Sequence, residues 1–212
     1  MNQTIITDIT QGLTTAFIDH TVSSNLAYRP QFVSNNYKEG RKVISSIEDE
    51  LLSCERFAIS VAFITMSGIT PLLQTLKELE KRGIPGRILT TDYLTFSDPK
   101  ALRKLEKFSN LHVKMYVTDQ TEEGFHTKGY IFKKEEMYRI IVGSSNMTLS
   151  ALTVNREWNT RIVSTEQGEY AQSVLTEFED LWNSSQAVEF EQFIDSYTEN
   201  YTRNKIIRKQ KE

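Results

Sequence analysis

Two hydrophobic periods alternate along the chain, and the places where one gives way to the other outline its elements. Across residues 37–56, Val43, Ile44, Ile47, Leu51 and Leu52 fall on one helical face, which predicts an amphipathic helix. The run Phe57-Ala-Ile-Ser-Val-Ala-Phe-Ile-Thr65 is short, apolar and rich in β-branched residues, as a buried strand would be. Residues 67–82 read as a second helix, with Gly83 at its C-terminal cap and Pro85 just beyond, and 87–91 as the next strand. Asp98 and Pro99 open a third helix as N-cap and first-turn residue, and 111–117 is again a strand.

The pattern then changes. Residues 125–132 and 137–142 predict two strands joined by the short polar connection 133–136, a hairpin. A helical turn over 147–152, a strand over 157–163 and a long helix over 166–182 follow, the last with Tyr170, Val174, Phe178 and Leu181 on one face. Residues 188–207 read as helical and lead into the basic residues Arg203, Lys205, Arg208, Lys209 and Lys211. Residues 1–36 lack a clean period, although Ile9, Leu13 and Phe17 share a helical face. The expected architecture is α/β, a mixed β-sheet flanked by helices. Residues 1–36 form an N-terminal extension with some helix, 37–200 the main domain, and 201–212 a basic tail or linker to a further domain.

With 212 residues and 39% hydrophobic content, one main core burying roughly 70% of the unfolded chain's surface is within reach. No signal-like start and no stretch of about 18 apolar residues is present, so a cytoplasmic protein without a membrane span is expected. The single cysteine, Cys54, lies in an amphipathic stretch and reads as a structural thiol. Lys and Arg number 25 against 28 Asp and Glu, for a net charge of −3. Any contact with nucleic acid must therefore come from a local groove and not from bulk charge.

Candidate chemistry gathers around the hairpin. In Phe125-His-Thr-Lys-Gly-Tyr-Ile-Phe132, His126 and Lys128 stand two apart on an expected strand, so both side chains project from one face and can address one anion. Gly143-Ser-Ser-Asn146 closes the partner strand, with Gly143 permitting close backbone approach. Eleven residues past Asn146, Glu157 opens the next strand. An imidazole, a fixed cation, hydroxyl and amide donors and a carboxylate together suit phosphoryl transfer through a covalent intermediate.

His-x-Lys, then Gly-Ser-x-Asn, then a Glu eleven residues further resembles the signature of the phospholipase D superfamily. Phe-His-Thr-Lys-Gly-Tyr-Ile-Phe, Ile-Ile-Val-Gly-Ser-Ser-Asn-Met-Thr and Asn-Arg-Glu-Trp-Asn together resemble the nuclease-like domain at the N-terminus of bacterial superfamily II helicases. The resemblance implies a phospholipase D-like fold and a phosphodiesterase or nuclease acting on nucleic acid, DNA ahead of RNA, without metal or other cofactor. It also implies roles. His126 attacks phosphorus, Lys128 and Asn146 hold the non-bridging oxygens, Ser144 donates a further hydrogen bond, and Glu157 orients the imidazole. A second histidine protonates the leaving oxygen. Because the chain has one Gly-Ser-x-Asn, that histidine must come from another copy, so a homodimer is expected, with a helicase module as a further partner. Membrane is excluded as a partner by the lack of an apolar docking surface.

Two departures stand out. The superfamily's aspartate seven residues after the histidine is Lys133 here, and Ser144 follows His126 by eighteen residues where fifteen is usual. The competing reading is a catalytically idle domain that grips nucleic acid for an attached motor. A metal-dependent nuclease is a third reading, for which no good acidic triad is found. His112-Val-Lys114, with Asp119, spells the full His-x-Lys-x4-Asp pattern. It lies thirty-two residues before Ser144, too far for a hairpin partner, so His112, like His20, reads as structural. Trp158 reads as a core residue, Glu48-Asp49-Glu50 as a solvated helix face and Glu122-Glu123 as a loop.

Overall fold

The computed structural model describes residues 2–118 and 124–210, so Asp119 and Glu122-Glu123 lie outside the described residues. The chain runs α1 (Gln3–Phe17), β1 (Gln31–Val33), α2 (Val43–Ser53), β2 (Arg56–Val61), α3 (Met66–Ile69), α4 (Leu73–Lys81), β3 (Gly86–Thr91), α5 (Pro99–Glu106) and β4 (Leu111–Tyr116). It continues with β5 (Lys128–Lys134), β6 (Met137–Gly143), α6 (Leu149–Thr153), β7 (Asn159–Thr165), α7 (Glu169–Asn183), β8 (Ala187–Glu189) and α8 (Phe190–Lys209). The strands form one eight-stranded sheet in the order β1-β7-β6-β5-β2-β3-β4-β8. β2, β3 and β4 are parallel, as the alternation of strands and helices predicts, and every other pairing is antiparallel. The mixed sheet flanked by helices is thus the architecture read from the sequence.

Alternation along the central strands divides the core between the two faces of the sheet. Phe57, Ile59 and Val61 of β2 join Ile47, Leu51, Leu76, Leu102 and Phe193 in one buried cluster. Ala58 joins Ile131, Ile140, Phe178 and Trp182 in the other, under α7. Each such large side chain contributes about 1.5–3 kcal/mol through removal from water. Local chemistry sets the helix ends. The Asp98 carboxylate accepts from the Lys100 N–H at 2.9 Å ahead of Pro99, and Gly83 takes φ 65° just past the end of α4. Cys54 is buried, its thiol on the Leu51 carbonyl at 3.2 Å, and burial pushes its pKa up to about 11.

Several elements differ from the sequence expectation. The helix expected over 37–56 begins only at Val43, because a short 3-10 turn at Tyr37–Glu39 ends on Gly40 with φ 67°. Residues 31–33 add an edge strand on β7, and 187–189, expected to begin a helix around 188, instead pair with β4 before α8 starts at Phe190. Segments of three residues display no period, so pairing with an existing edge decides their conformation. Within Glu48-Asp49-Glu50, Glu50 is not solvated: it is 5% exposed, with Arg139 at 3.5 Å and Arg161 at 2.9 Å. Burial raises its pKa even though both guanidiniums pull it down. Arg208, in the expected tail, lies on α8 and donates to the Leu94 carbonyl and to Thr95 Oγ1, its guanidinium 4.3 Å above the Phe96 ring. Among the described residues no helix is long and apolar enough to cross a membrane.

Candidate active site

Four neighbouring strands end in one row. Lys128 at the start of β5 pairs with Val61 at the end of β2, and Gly143 at the end of β6 pairs with Asn159 at the start of β7. The candidate residues from the hairpin, from Gly-Ser-Ser-Asn and from the segment before β7 therefore meet at one end of the sheet.

His126 is not on the strand, as the period-2 reading has it, but in the extended lead-in two residues before β5. β2 offers no ladder partner beyond Val61, so pairing begins only at Lys128. Phe125 anchors this lead-in: it is buried, 5.2 Å from the Tyr116 ring. The exposed imidazole stands edge-on to Phe63 with centroids 6.2 Å apart. The expected meeting of His126 and Lys128 does occur, through a fold-back of the lysine. Lys128 Nζ lies 2.9 Å from His126 Nδ1 and 2.9 Å from the His126 carbonyl oxygen. An ammonium only donates, so Nδ1 holds its lone pair toward Lys128. Burial lowers the Lys128 pKa, and the negative charge of Glu157 partly offsets this.

The Gly143-Ser-Ser-Asn146 turn is held from below. A Cβ on Gly143 would lie 2.3 Å from the Trp158 carbonyl oxygen and 2.4 Å from Asn159 Oδ1, so only glycine permits this approach. Ser145 is buried. Its carbonyl accepts from the Tyr130 hydroxyl at 3.0 Å, its N–H donates to Asn159 Oδ1 at 3.3 Å, and its hydroxyl accepts from Asn159 Nδ2 at 3.0 Å. Asn159 also donates to the Val33 carbonyl at 3.1 Å, which ties the edge strand β1 to the turn. Asn146 Oδ1 accepts the Phe63 N–H at 3.1 Å. That bond fixes the side-chain amide and turns its NH₂, the end that can donate to an anion, away from the backbone.

Glu157 precedes β7 by two residues and does not open it. Its carboxylate receives the Ser144 hydroxyl, which in turn accepts the Trp158 N–H at 3.1 Å. Among the described residues Glu157 makes no hydrogen bond to His126, and the Ser144 proton is committed to Glu157. The structure thus brings together two pairs, His126 with Lys128 and Ser144 with Glu157, linked by the Glu157 charge acting on Lys128. Trp158, expected in the core, is 74% exposed, because the following residue Asn159 takes the inward position at the start of β7.

Tyr130, Asn159 and Phe63 support the site and were not singled out by the sequence. Tyr130 and Phe63 read as ordinary core aromatics inside apolar runs, and Asn159 carried no signal beyond its place after Glu-Trp. His112 is far from this cluster: its Nε2 is 2.6 Å from Glu189 and its ring edges onto Trp182. Lys133, in the position of the missing aspartate, lies five residues along β5 from Lys128, roughly 17 Å at the rise of a strand. It bonds the Glu166 carboxylate and the Glu135 carbonyl near the hairpin turn. Among the described residues no three His, Cys, Asp or Glu side chains gather as a metal site.

A cation beside an imidazole, a side-chain amide and a carboxylate thus stand together at the ends of strands of one mixed sheet, a set of groups able to bind and act on a phosphate ester. The family model described as "Cardiolipin synthase, PLD-like domain" matches residues 49–182, and the chain belongs to that phospholipase D-like family. No curated protein matches the chain. Among solved structures, NucT from Helicobacter pylori is similar with a TM-score of 0.58 and 16% identity, covering 76% of this chain and 99% of that one. The phospholipase D family member Nuc from Salmonella typhimurium gives 0.57 and 19%, over 76% and 99%. Phosphatidylserine synthase from Haemophilus influenzae Rd KW20 gives 0.57 and 16%, over 86% of this chain and 46% of that one. At these identities the likeness is one of fold.

Proposed function

We propose that the chain is a metal-independent nuclease that cleaves a phosphodiester of nucleic acid, DNA ahead of RNA, through a phosphohistidine on His126, with two copies completing one site. The observation that carries this is the Lys128 ammonium on His126 Nδ1 beside the outward Asn146 amide. An incoming phosphate competes for the same ammonium. As its oxygens take Lys128 and the Asn146 NH₂, Nδ1 is released and becomes free to carry the imidazole proton. Nε2 then holds the lone pair that attacks phosphorus. The N–P bond forms while the P–O bond breaks, and the leaving oxygen takes a proton from a second, protonated imidazole. Water then attacks phosphorus, giving its proton to that second imidazole, and the N–P bond breaks. Glu157 supports the lysine's charge and, once Lys128 has moved, is the carboxylate assigned to orient the ring.

No other histidine of the same chain serves as the acid. His112 is paired with Glu189, and His20 follows α1, whose Ile9 packs on Met137 and Val163 toward the hairpin turn. A second His126 across a two-fold axis is the simplest source. The likeness to helicase-linked nuclease domains supports a helicase module as a further partner, and the setting we assign is cytoplasmic. The test is cleavage of single- and double-stranded DNA in excess chelator by the wild type, His126→Ala and His112→Ala, with light scattering for the oligomeric state. Chelator-resistant cutting that disappears only in His126→Ala, by a dimer, is expected. Cutting that survives in His126→Ala, or that needs a divalent ion, overturns the reading. DNA binding without any cutting turns it into a binding module.

A further inference from the structure

Beside Glu157 lies a cleft of about 590 Å³ whose walls include Phe32, Asn36, Lys38, Arg156 and Trp158. Its most prominent feature is a pair of large aromatic side chains left in water. Trp158 is 74% exposed and Phe32 59% exposed. The rings meet edge to face, centroids 5.9 Å apart at 76°, so each supports the other while broad π surface stays open. Single exposed hydrophobics are common on protein surfaces, but a mutually braced aromatic pair at the mouth of a site points to an occupant.

The backbone makes this pair part of the site and not a neighbour of it. The Trp158 N–H donates to the Ser144 hydroxyl, and its carbonyl accepts the Ser144 N–H, both at 3.1 Å. Phe32 stands opposite Thr160 in the β1–β7 pairing, and β1 is pinned through Val33 to Asn159. Trp158 directly follows Glu157 in the chain, and Phe32 is therefore carried on the edge strand tied to the same turn. The cleft also carries two cations, Lys38 and Arg156, against the single carboxylate of Glu157, which holds the Ser144 hydroxyl; neither cation forms an ion pair among the described residues. With a chain whose net charge is −3, this is a local excess of cations in a cleft that also holds two exposed rings. Alternating cations and open rings suit a ligand that alternates phosphates and flat bases. Duplex bases are already stacked on each other and present no free face, whereas a single strand does.

We propose that Phe32, Trp158, Lys38 and Arg156 form a platform for a nucleotide of single-stranded nucleic acid flanking the phosphodiester bound at Lys128, which makes the single strand the preferred substrate. This rests on the nuclease reading of the site, and binding can be measured apart from cleavage. Trp182, the other tryptophan, is 5% exposed, so quenchable emission comes chiefly from Trp158. The experiment titrates the full chain, in excess chelator, with oligothymidylate and with a blunt duplex of equal length. It follows tryptophan emission together with the anisotropy of labelled oligonucleotide. Expected are quenching by the single strand and little change with the duplex. Phe32→Ala and Trp158→Leu should weaken single-strand affinity about tenfold each, duplex affinity holding within twofold. The conservative Phe32→Tyr should keep binding, which separates loss of stacking from loss of fold. His126→Ala should bind and quench as the wild type does, so a dead nuclease with an intact platform supports the proposal. It is overturned if the single strand binds without quenching, or if both variants bind it as tightly as the wild type. It is also overturned if Trp158 is shielded in the free protein in a concentration-dependent way, which would place a second copy of the chain on these rings.

Discussion

His112 and Lys114 on β4 share one acid, Glu189, at 2.6 and 3.0 Å, and the lysine also sits 4.9 Å above the Trp182 ring. His126 and Lys128, the same His-x-Lys pattern, share no ion-paired acid among the described residues, and the lysine turns onto the histidine itself. Glu157, whose charge acts on Lys128, is occupied by Ser144. One copy of the pattern is satisfied by its own chain and serves as a clasp between β4 and β8. The other keeps its donors available at the end of the sheet, where a phosphate can replace an internal contact. A pattern of residue types becomes a candidate site only where the fold declines to neutralise it.

The most direct way to break this comparison is to remove each imidazole. His126→Ala should lower kcat for cleavage by at least about a thousandfold, as loss of a nucleophile does, while His112→Ala should change it by less than about threefold. Equal losses in steady-state assays would erase the distinction. The buried ion cluster of Glu50, Arg139 and Arg161 offers a control for stability without chemistry. Glu50→Gln leaves two guanidiniums without a counter-charge and should cost about 3 kcal/mol in denaturant unfolding, with activity per folded molecule retained.

The two lysines sharpen the contrast. Lys128→Met should reduce kcat/KM about a hundredfold, the scale of losing one charged donor at a reacting phosphate, and Lys114→Met should leave it nearly unchanged. The smallest effect belongs to Glu189→Gln, at under about 1 kcal/mol because the carboxylate is partly solvated. Burial alone would raise the Glu189 pKa, but the hydrogen bonds from Lys114 and His112 together hold it below the usual carboxylate range. A depressed carboxylate stabilises the fold above its unfolded pKa, and that contribution is lost as pH falls through the folded value. The wild-type advantage over Glu189→Gln should therefore be present at neutral pH and vanish in acid. An advantage that grows on acidification would contradict the clasp.

Most of the sheet was legible because its central strands are long enough to show a period and its helices carry apolar stripes. The β5–β6 hairpin, the capping of α5 by Asp98 and Pro99, and the residues gathered near His126 all follow from local pattern. The family signature in the chain, His126 to Glu157, likewise needs no coordinates to be seen. What sequence periodicity misplaced was position relative to other strands. His126 lies off the ladder because β2 stops at Val61, and Glu157 lies before β7 because Asn159 takes the first inward position. Trp158 was assigned inward on its hydrophobicity and the structure turns it outward beside Phe32.

Sequence by itself determined the class of fold and which residue types stand near one another along the chain, because both depend on short-range spacing. Tertiary structure alone decided which charges are neutralised. Glu50 between two arginines, Glu189 over His112 and Lys114, and Ser144 on Glu157 each join segments distant in the chain. Their pairing depends on strand order and burial, where water no longer screens a charge and the nearest partner determines its state.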